Sequence, residues 1–443
     1  MWRRFISDAV KTKRHHHHYI NLTPIAAAIS TDTSTFRRLY SAKPSISTLA
    51  KAKKKFKGDG KNDDTPGGSS VELDADVEGD KLRLKLLAED EQDKSLDVGP
   101  NGLPLFTSDT CSYMKFRIED LNAILPEGLP GGMLKEFEDT KRCALLIRQN
   151  FLDLRDNFRC IVDPPTWPSS AKAPKAKKQI VLDGPRSSGK SIALAMLAHW
   201  ACDEGWQVFY APKGLDWTHG GFFYKNPQTG LWDTPIQAEN ILKNFLKFNE
   251  IVLQKFPCQI SDPIPLREDA GVGFMKGADS LAMPKGSTLF DLIQTGVTHT
   301  HAAVGVLVRL RKELSLVKDV PMLLAIDQYN NWYTFSAYEE VVTPRSSRPI
   351  HARELAAVNA FRPMTTHDDM MVGALSHSTS VGKLRKDLPN VPHNAHIDFP
   401  RYNVDEAAAV CHYYLRQRLI RREAFTGKNG RRYIILQMEM DHR

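Results

Sequence analysis

Gly184-Pro-Arg-Ser-Ser-Gly-Lys-Ser191 places two glycines and a Lys-Ser pair where a loop wrapped around polyphosphate needs them. Gly184 and Gly189 let the backbone turn tightly around an anion. Successive N–H groups then point inward, at a helix N-terminus where partial positive charge gathers. Lys190 can reach the outer phosphates, and the Ser191 hydroxyl can ligate Mg²⁺. The candidate nucleotide-binding set is therefore Gly184, Pro185, Arg186, Ser187, Ser188, Gly189, Lys190 and Ser191, with Ile192 directly behind. A plain Gly/Ser-rich turn before a buried helix would use the same residue types, so the flanks have to decide.

A second group of candidates lies downstream. Val320-Pro-Met-Leu-Leu-Ala-Ile-Asp327 reads as an apolar strand ending in a carboxylate. A phosphate-loop fold places such a strand next to the first one, where the Asp327 carboxylate would hold Mg²⁺ through a bound water. Gln328 follows, where many ATP-hydrolysing proteins of this fold carry Glu. An amide cannot accept the proton of an attacking water, so the site suits holding a nucleotide better than hydrolysing it. A base supplied from elsewhere stays open. Met370 to Leu375 forms another apolar strand leading to the hydroxyls of Ser376 to Ser380, which serve capping and turn formation by default. His299 and His301 have no acidic or thiol company at metal-site spacing, and no structural metal cluster is expected. Neither a Ser-His-Asp set nor a pair of catalytic carboxylates stands out.

The elements that would position these residues are legible on both sides of the loop. Ile180-Val-Leu182 is an apolar run without a polar face, as in a parallel strand covered on both sides. Ser191 to Glu204 is built of helix formers and stops at Gly205, and Gln207 to Tyr210 supplies a second strand. Strand, Gly-rich loop, helix and strand make the βαβ unit this chemistry requires. Helical spacing is also read over Gly131 to Arg159, with Leu134, Phe137, Leu145, Ile147, Phe151 and Leu154 inward. It recurs over Pro235 to Lys255 and over Leu289 to Leu316, the last broken near Gly296 or Gly305. Lys213 to Thr234 is an aromatic, turn-rich loop, and Gln259 to Gly286 is a loop. Asn403 and Glu406 form an N-cap pair for a helix that presents Ala407, Val410, Cys411, Tyr414 and Leu415 and ends in Arg416, Arg418, Arg421 and Arg422.

The chain has 443 residues, enough for two or three domains, and no apolar run reaches the roughly 20 residues a membrane span needs. A net charge of +8 points to a polyanionic neighbour without saying which kind. Part of that excess is local. Residues 1–40 are rich in Arg, Ser and Thr and poor in acids. Trp2, Phe5, Ile6, Ala9 and Val10 share one helical face, and Arg38-Leu-Tyr40 precedes Ser41, together the pattern of a mitochondrial transit peptide. His15 to His18 is a solvated run within it. Residues 41–102 change from basic to acidic around Gly and Pro and read as a disordered low-complexity linker with one helix at Asp80 to Ser95. Six scattered cysteines with no Cys-x-x-Cys pair suit a reducing compartment.

With these segments placed, the chain resembles the death-associated protein three family, the phosphate-loop component of the mitochondrial ribosomal small subunit, in its plant-like form. The match rests on Gly184 to Ser191, on Trp232-Asp-Thr-Pro235 with the Ala238 to Glu250 helix, on Met322 to Asn330, and on Pro400 to Leu415. The resemblance implies an α/β fold: an AAA-like P-loop NTPase parallel sheet with flanking helices and a small C-terminal helical lid. It implies GTP or GDP, with ATP as the alternative, and Mg²⁺ as structural guests. Lys190 would lie on phosphates, Ser191 on the metal, and Asp327 on it through water. Its implied partners are mitochondrial small-subunit ribosomal RNA and neighbouring ribosomal proteins in the matrix, with a secondary association with apoptosis. An active AAA-type NTPase, or an apoptosis adaptor acting off the ribosome, is the alternative. The expected organisation is 1–40 transit peptide, 41–102 linker, 103–178 N-terminal helical extension and basic connector, 179–400 nucleotide-binding domain, and 401–443 lid. Thr426 to Arg443 departs from the family pattern and leaves lid closure over the nucleotide open.

Overall fold

The structure is a computed structural model that describes residues 97–98, 109–163, 176–265, 280–363, 371–376, 388, 391–417 and 419. The transit-peptide, His-run and 80–95 helix readings lie outside them, as do Arg418, Arg421, Arg422, Ser378 to Ser380 and Thr426 to Arg443. Of the linker only Asp97–Val98 is described, and of the basic connector only residues 176–178.

The first elements are β1 (Asp97–Val98), β2 (Tyr113–Lys115), α1 (Ile118–Ile124), α2 (Gly131–Thr140), β3 (Ala144–Leu146) and α3 (Gln149–Val162), the three strands forming one small sheet. The helix expected over Gly131 to Arg159 is thus two helices with a strand between. Lys141 turns left-handed at φ 57° and ends α2. The run Ala144 to Ile147 is then buried without interruption, which is a strand's signature and not a helix stripe. Leu134, expected inside, is 45% exposed.

The central sheet follows: β4 (Gln179–Asp183), α4 (Lys190–Asp203), β5 (Gln207–Ala211), the hairpin β6 (Tyr224–Lys225) and β7 (Trp232–Asp233), and α5 (Pro235–Leu253). After the short pair β8 (Ile264–Pro265) and β9 (Ser280–Leu281) come α6 (Leu289–Thr298), α7 (Ala303–Leu316) and β10 (Met322–Ile326). A long hairpin, β11 (Phe335–Thr343) and β12 (Ser346–His351), leads to α8 (Ala356–Phe361), β13 (Met371–Ser376), β14 (His396–Asp398) and α9 (Val404–Arg416). Five strands pair in parallel in the order β14-β4-β13-β10-β5. The Asp327 strand is therefore not beside β4 as expected. β13 lies between them, because the chain returns to the middle of the sheet after the α8 excursion.

Side-chain alternation splits the core in two. Phe209, Met322, Leu324 and Ile326 face one layer with α5, α6, α7 and α8. Ile180, Leu182, Val208, Tyr210, Leu323 and Ala325 face the other with α4 and the N-terminal helices. α4 is apolar all round because it is buried from Ala193 to Cys202, apart from the half-buried Trp200. In the aromatic loop Trp217 and Trp232 are buried and Phe222 is exposed. The α6–α7 break falls at the short 3₁₀ turn Thr300–Ala302, with His299 extended before it, and not at a glycine. Gly296 instead sits where α6 meets α5 and α7, and a Cβ there would collide with Leu242 and Val306. No described helix is long and apolar enough to cross a membrane.

Candidate functional site

The carboxyl ends of β4, β10, β13 and β14 converge on the Gly184 to Ser191 loop, which joins β4 to α4. Gly184 takes φ 136°, and a Cβ on it would run into the Phe399 carbonyl, so the close approach of the β14 end requires glycine there. Ser187 is left-handed at φ 57°, and Gly189 at φ 87° opens α4 as its N-cap. Alternating handedness of this kind turns successive amides to one side, the concavity that favours anions.

The loop is held from within and without. Asp183 Oδ1 accepts the Gly184 N–H at 2.7 Å. The Lys190 ammonium donates to the Gly184 carbonyl at 3.1 Å, the Pro185 carbonyl at 2.7 Å and Ser188 Oγ at 3.3 Å, so it is folded into its own loop. Burial pulls its pKa below the ordinary lysine value, against the pull of Asp183, Asp327 and Asp398. Arg186 and Ser187 are exposed, Ser188 is buried, and Ser191 and Ile192 are half-buried.

Asp327 comes to this loop although its strand is not adjacent to β4. Its carboxyl is buried, and burial raises its pKa. The hydroxyls of Ser191 and Ser376, the Gln328 N–H and the Lys190 ammonium favour the ionised form and oppose that rise. Gln328 N–H donates to Asp327 Oδ1 at 2.8 Å. Ser376, the last residue of β13, is 1% exposed. A carboxylate, two hydroxyls and an ammonium gathered at one loop make a donor set suited to a hydrated divalent cation beside phosphate. His299 and His301 pack against each other with centroids 5.7 Å apart, and no group of His, Cys, Asp or Glu among the described residues is arranged to hold a metal on its own. All six cysteines are free.

Sequence reasoning missed Arg148. It lies between β3 and α3, is 6% exposed, and donates to the Ser188 carbonyl at 2.6 Å. Its guanidinium also bonds Glu406 Oε2 at 3.0 and 3.2 Å and the carbonyls of Pro400 and Arg401 at 2.9 and 3.1 Å. It lies over the rings of Phe399 and Tyr402 at 4.9 and 4.8 Å. Glu406 was legible only as a capping residue. It fills that role too, since Asn403 and Glu406 form a reciprocal capping box on α9.

Beside the loop is a cavity of about 80 Å³ lined in part by Arg148, Gly189, Ile192, Phe399, Tyr402 and Tyr414. A larger cavity of about 240 Å³ lies between the β6–β7 hairpin and α7 and contains none of the loop residues.

The family model of the mitochondrial ribosomal death-associated protein 3 matches residues 169–389, which span the loop, β10 and β13. The chain belongs to this family. It is similar to the bovine (Bos taurus) small ribosomal subunit protein mS29, with 21% identity over 346 residues, 73% of this chain and 79% of the relative. The family is one of mitochondrial ribosomal proteins, and this chain is accordingly a mitochondrial protein.

Proposed function

We propose that this protein is a component of the small subunit of the mitochondrial ribosome, in contact with its RNA and neighbouring proteins. Its P-loop, AAA-like domain would hold a purine nucleotide, GTP or GDP in preference to ATP, with Mg²⁺. The bovine relative's designation as a small ribosomal subunit protein supports the first part. One observation carries the second. At the N-terminus of the buried α4, a loop with two left-handed glycines brings Lys190, Ser191 and Asp327 together although they come from separate strands' ends. Ligands of open α/β sheets bind in the crevice outside the carboxyl ends of the strands, which is where this cluster sits.

The loop amides and Lys190 would hold phosphates, while Ser191 and, through water, Asp327 would hold the metal. The cavity beside Gly189 and Tyr402 is where a base would enter. Bound Mg²⁺ would neutralise phosphate charge. Gln328 presents an amide where a base for hydrolysis would stand, so the nucleotide serves as a structural guest. Ligand at a thousandfold excess over Kd stabilises a fold by about 4 kcal/mol, which is sufficient reason to keep one.

Mass analysis of nucleotide retained by the purified protein tests the site. GTP or GDP is expected in wild type and absent from Lys190→Ala, whereas an empty wild-type protein that ignores added nucleotide overturns the reading. Gradient sedimentation of mitochondrial lysate tests the assembly: co-migration with the small subunit is expected, and a wholly free pool contradicts it.

A further inference from the structure

Arg148 is placed to do more than fill space. In a trans peptide the C=O of one residue and the N–H of the next point in opposite directions. By holding the Ser188 carbonyl at 2.6 Å, Arg148 fixes the direction of the Gly189 N–H, an amide at the N-cap of α4. The same guanidinium is held in turn by Glu406 on α9 and by the Pro400 and Arg401 carbonyls that lead into that helix. Phe399 N–H donates to the Asp183 carbonyl at 2.6 Å, closing the contact between the β14 end and the loop. One buried cation therefore belongs to both the phosphate cradle and the seat of α9.

We propose that Arg148 is a positioning residue that couples the two. Phosphate in the loop and α9 in its seat each require the Ser188–Gly189 peptide and the Glu406 carboxylate in their present places, so each strengthens the other. This rests on the nucleotide reading above and adds its regulation. By linkage the coupling is reciprocal: undocking α9 weakens nucleotide binding by the factor by which nucleotide stabilises α9. Contacts that the ribosome makes with α9 would thereby set how firmly the nucleotide is held.

Glu406→Gln separates the roles, because Gln sustains a capping box but not the ion pair. Arg148→Lys keeps the charge but cannot reach all four acceptors from one planar group. The full chain is titrated with mant-GDP and mant-ADP in the presence of Mg²⁺, and the tighter probe is used. Both variants are expected to bind about tenfold more weakly, within the usual range of coupling energies. Hydrogen exchange at α9 is expected to slow on nucleotide addition in wild type and not in Arg148→Lys. Val358→Ala, a core truncation on α8 distant in sequence from the loop, is expected to lower the melting temperature while keeping wild-type affinity. A wild-type protein that binds neither probe removes the nucleotide reading and this inference together. Wild-type binding with unchanged affinity in both Arg148→Lys and Glu406→Gln, or an equal loss in Val358→Ala, overturns this inference alone.

Discussion

Two arginines, Arg148 at the loop and Arg348 in the β11–β12 hairpin, each bind carboxylates, and they differ in nearly everything that sets the value of such a bond. The side chains of Arg148 and Glu406 are 7% and 3% exposed. Arg348 bridges Glu340 and Glu354 with 44% of its side chain exposed, and Glu340 also pairs with Lys225. The hairpin carries exposed Phe335, Val341 and Val342 and is anchored mainly by Tyr338 and Ile350 at its base. Burial decides between the two: a broken buried pair leaves a charge without water or partner, whereas a surface pair exchanges one solvated arrangement for another.

The largest effect is expected at the buried arginine. Arg148→Ala strands Glu406, whose Oε1 already lacks a partner, and frees the Ser188 carbonyl. Removing one member of a buried ion pair costs about 3–5 kcal/mol. Chemical denaturation should show a lower midpoint of that size. A loss below about 1 kcal/mol, typical of surface pairs, would break the contrast drawn here.

A change of opposite sign is expected at Asp327. Burial raises its pKa, so the folded protein favours the protonated form more than the unfolded chain does. Its contribution is then fully present below the unfolded carboxyl pKa of about 4 and is lost as pH rises through the higher folded value. At neutral pH the ionised group costs stability. Asp327→Asn keeps an oxygen for the Gln328 N–H and removes that cost. It should stabilise the nucleotide-free protein at pH 7 by about 1 kcal/mol, the usual gain when a functional site is relaxed, while weakening Mg²⁺-dependent nucleotide binding. Melting curves with and without Mg²⁺ and GDP would show the crossing of the two effects.

The same contrast explains what could be read in advance. The loop was legible because its geometry is written locally: glycines, lysine and serine within eight positions, a strand before and a helix after. Asp327 was legible as a strand end, but the place of its strand in the sheet was not. Local sequence does not record that β13 is inserted between β4 and β10. Arg148 gave no signal. It lies 40 residues before Ser188 and 258 before Glu406, and only the folded chain brings them together. The strand Ala144–Leu146 was hidden by helix-compatible residues on either side, and its pairing with β2 overrode that local preference. Glu406 shows the intermediate case, since its capping role is local and visible while its ionic role is distant and hidden.

The smallest effect belongs to the hairpin, and its pH dependence runs the other way from that of Asp327. Hydrogen bonds from Arg348 and Lys225 lower the pKa of Glu340, and those from Arg348 lower that of Glu354. A depressed carboxyl pKa contributes stability above the unfolded value of about 4, and that stability is lost as pH falls through the folded value. Because these groups face water, salt screens them and the side chains lose freedom on pairing. Arg348→Ala should therefore shift the melting temperature only at the edge of resolution at pH 7 and 0.15 M ionic strength, a condition set by the ordinary screening length. The shift should shrink further as pH falls below the carboxylate range or salt is added. A loss at neutral pH comparable to that of Arg148→Ala would mean that the hairpin's ion pairs hold the core, and that exposure is the wrong measure of what the two arginines contribute.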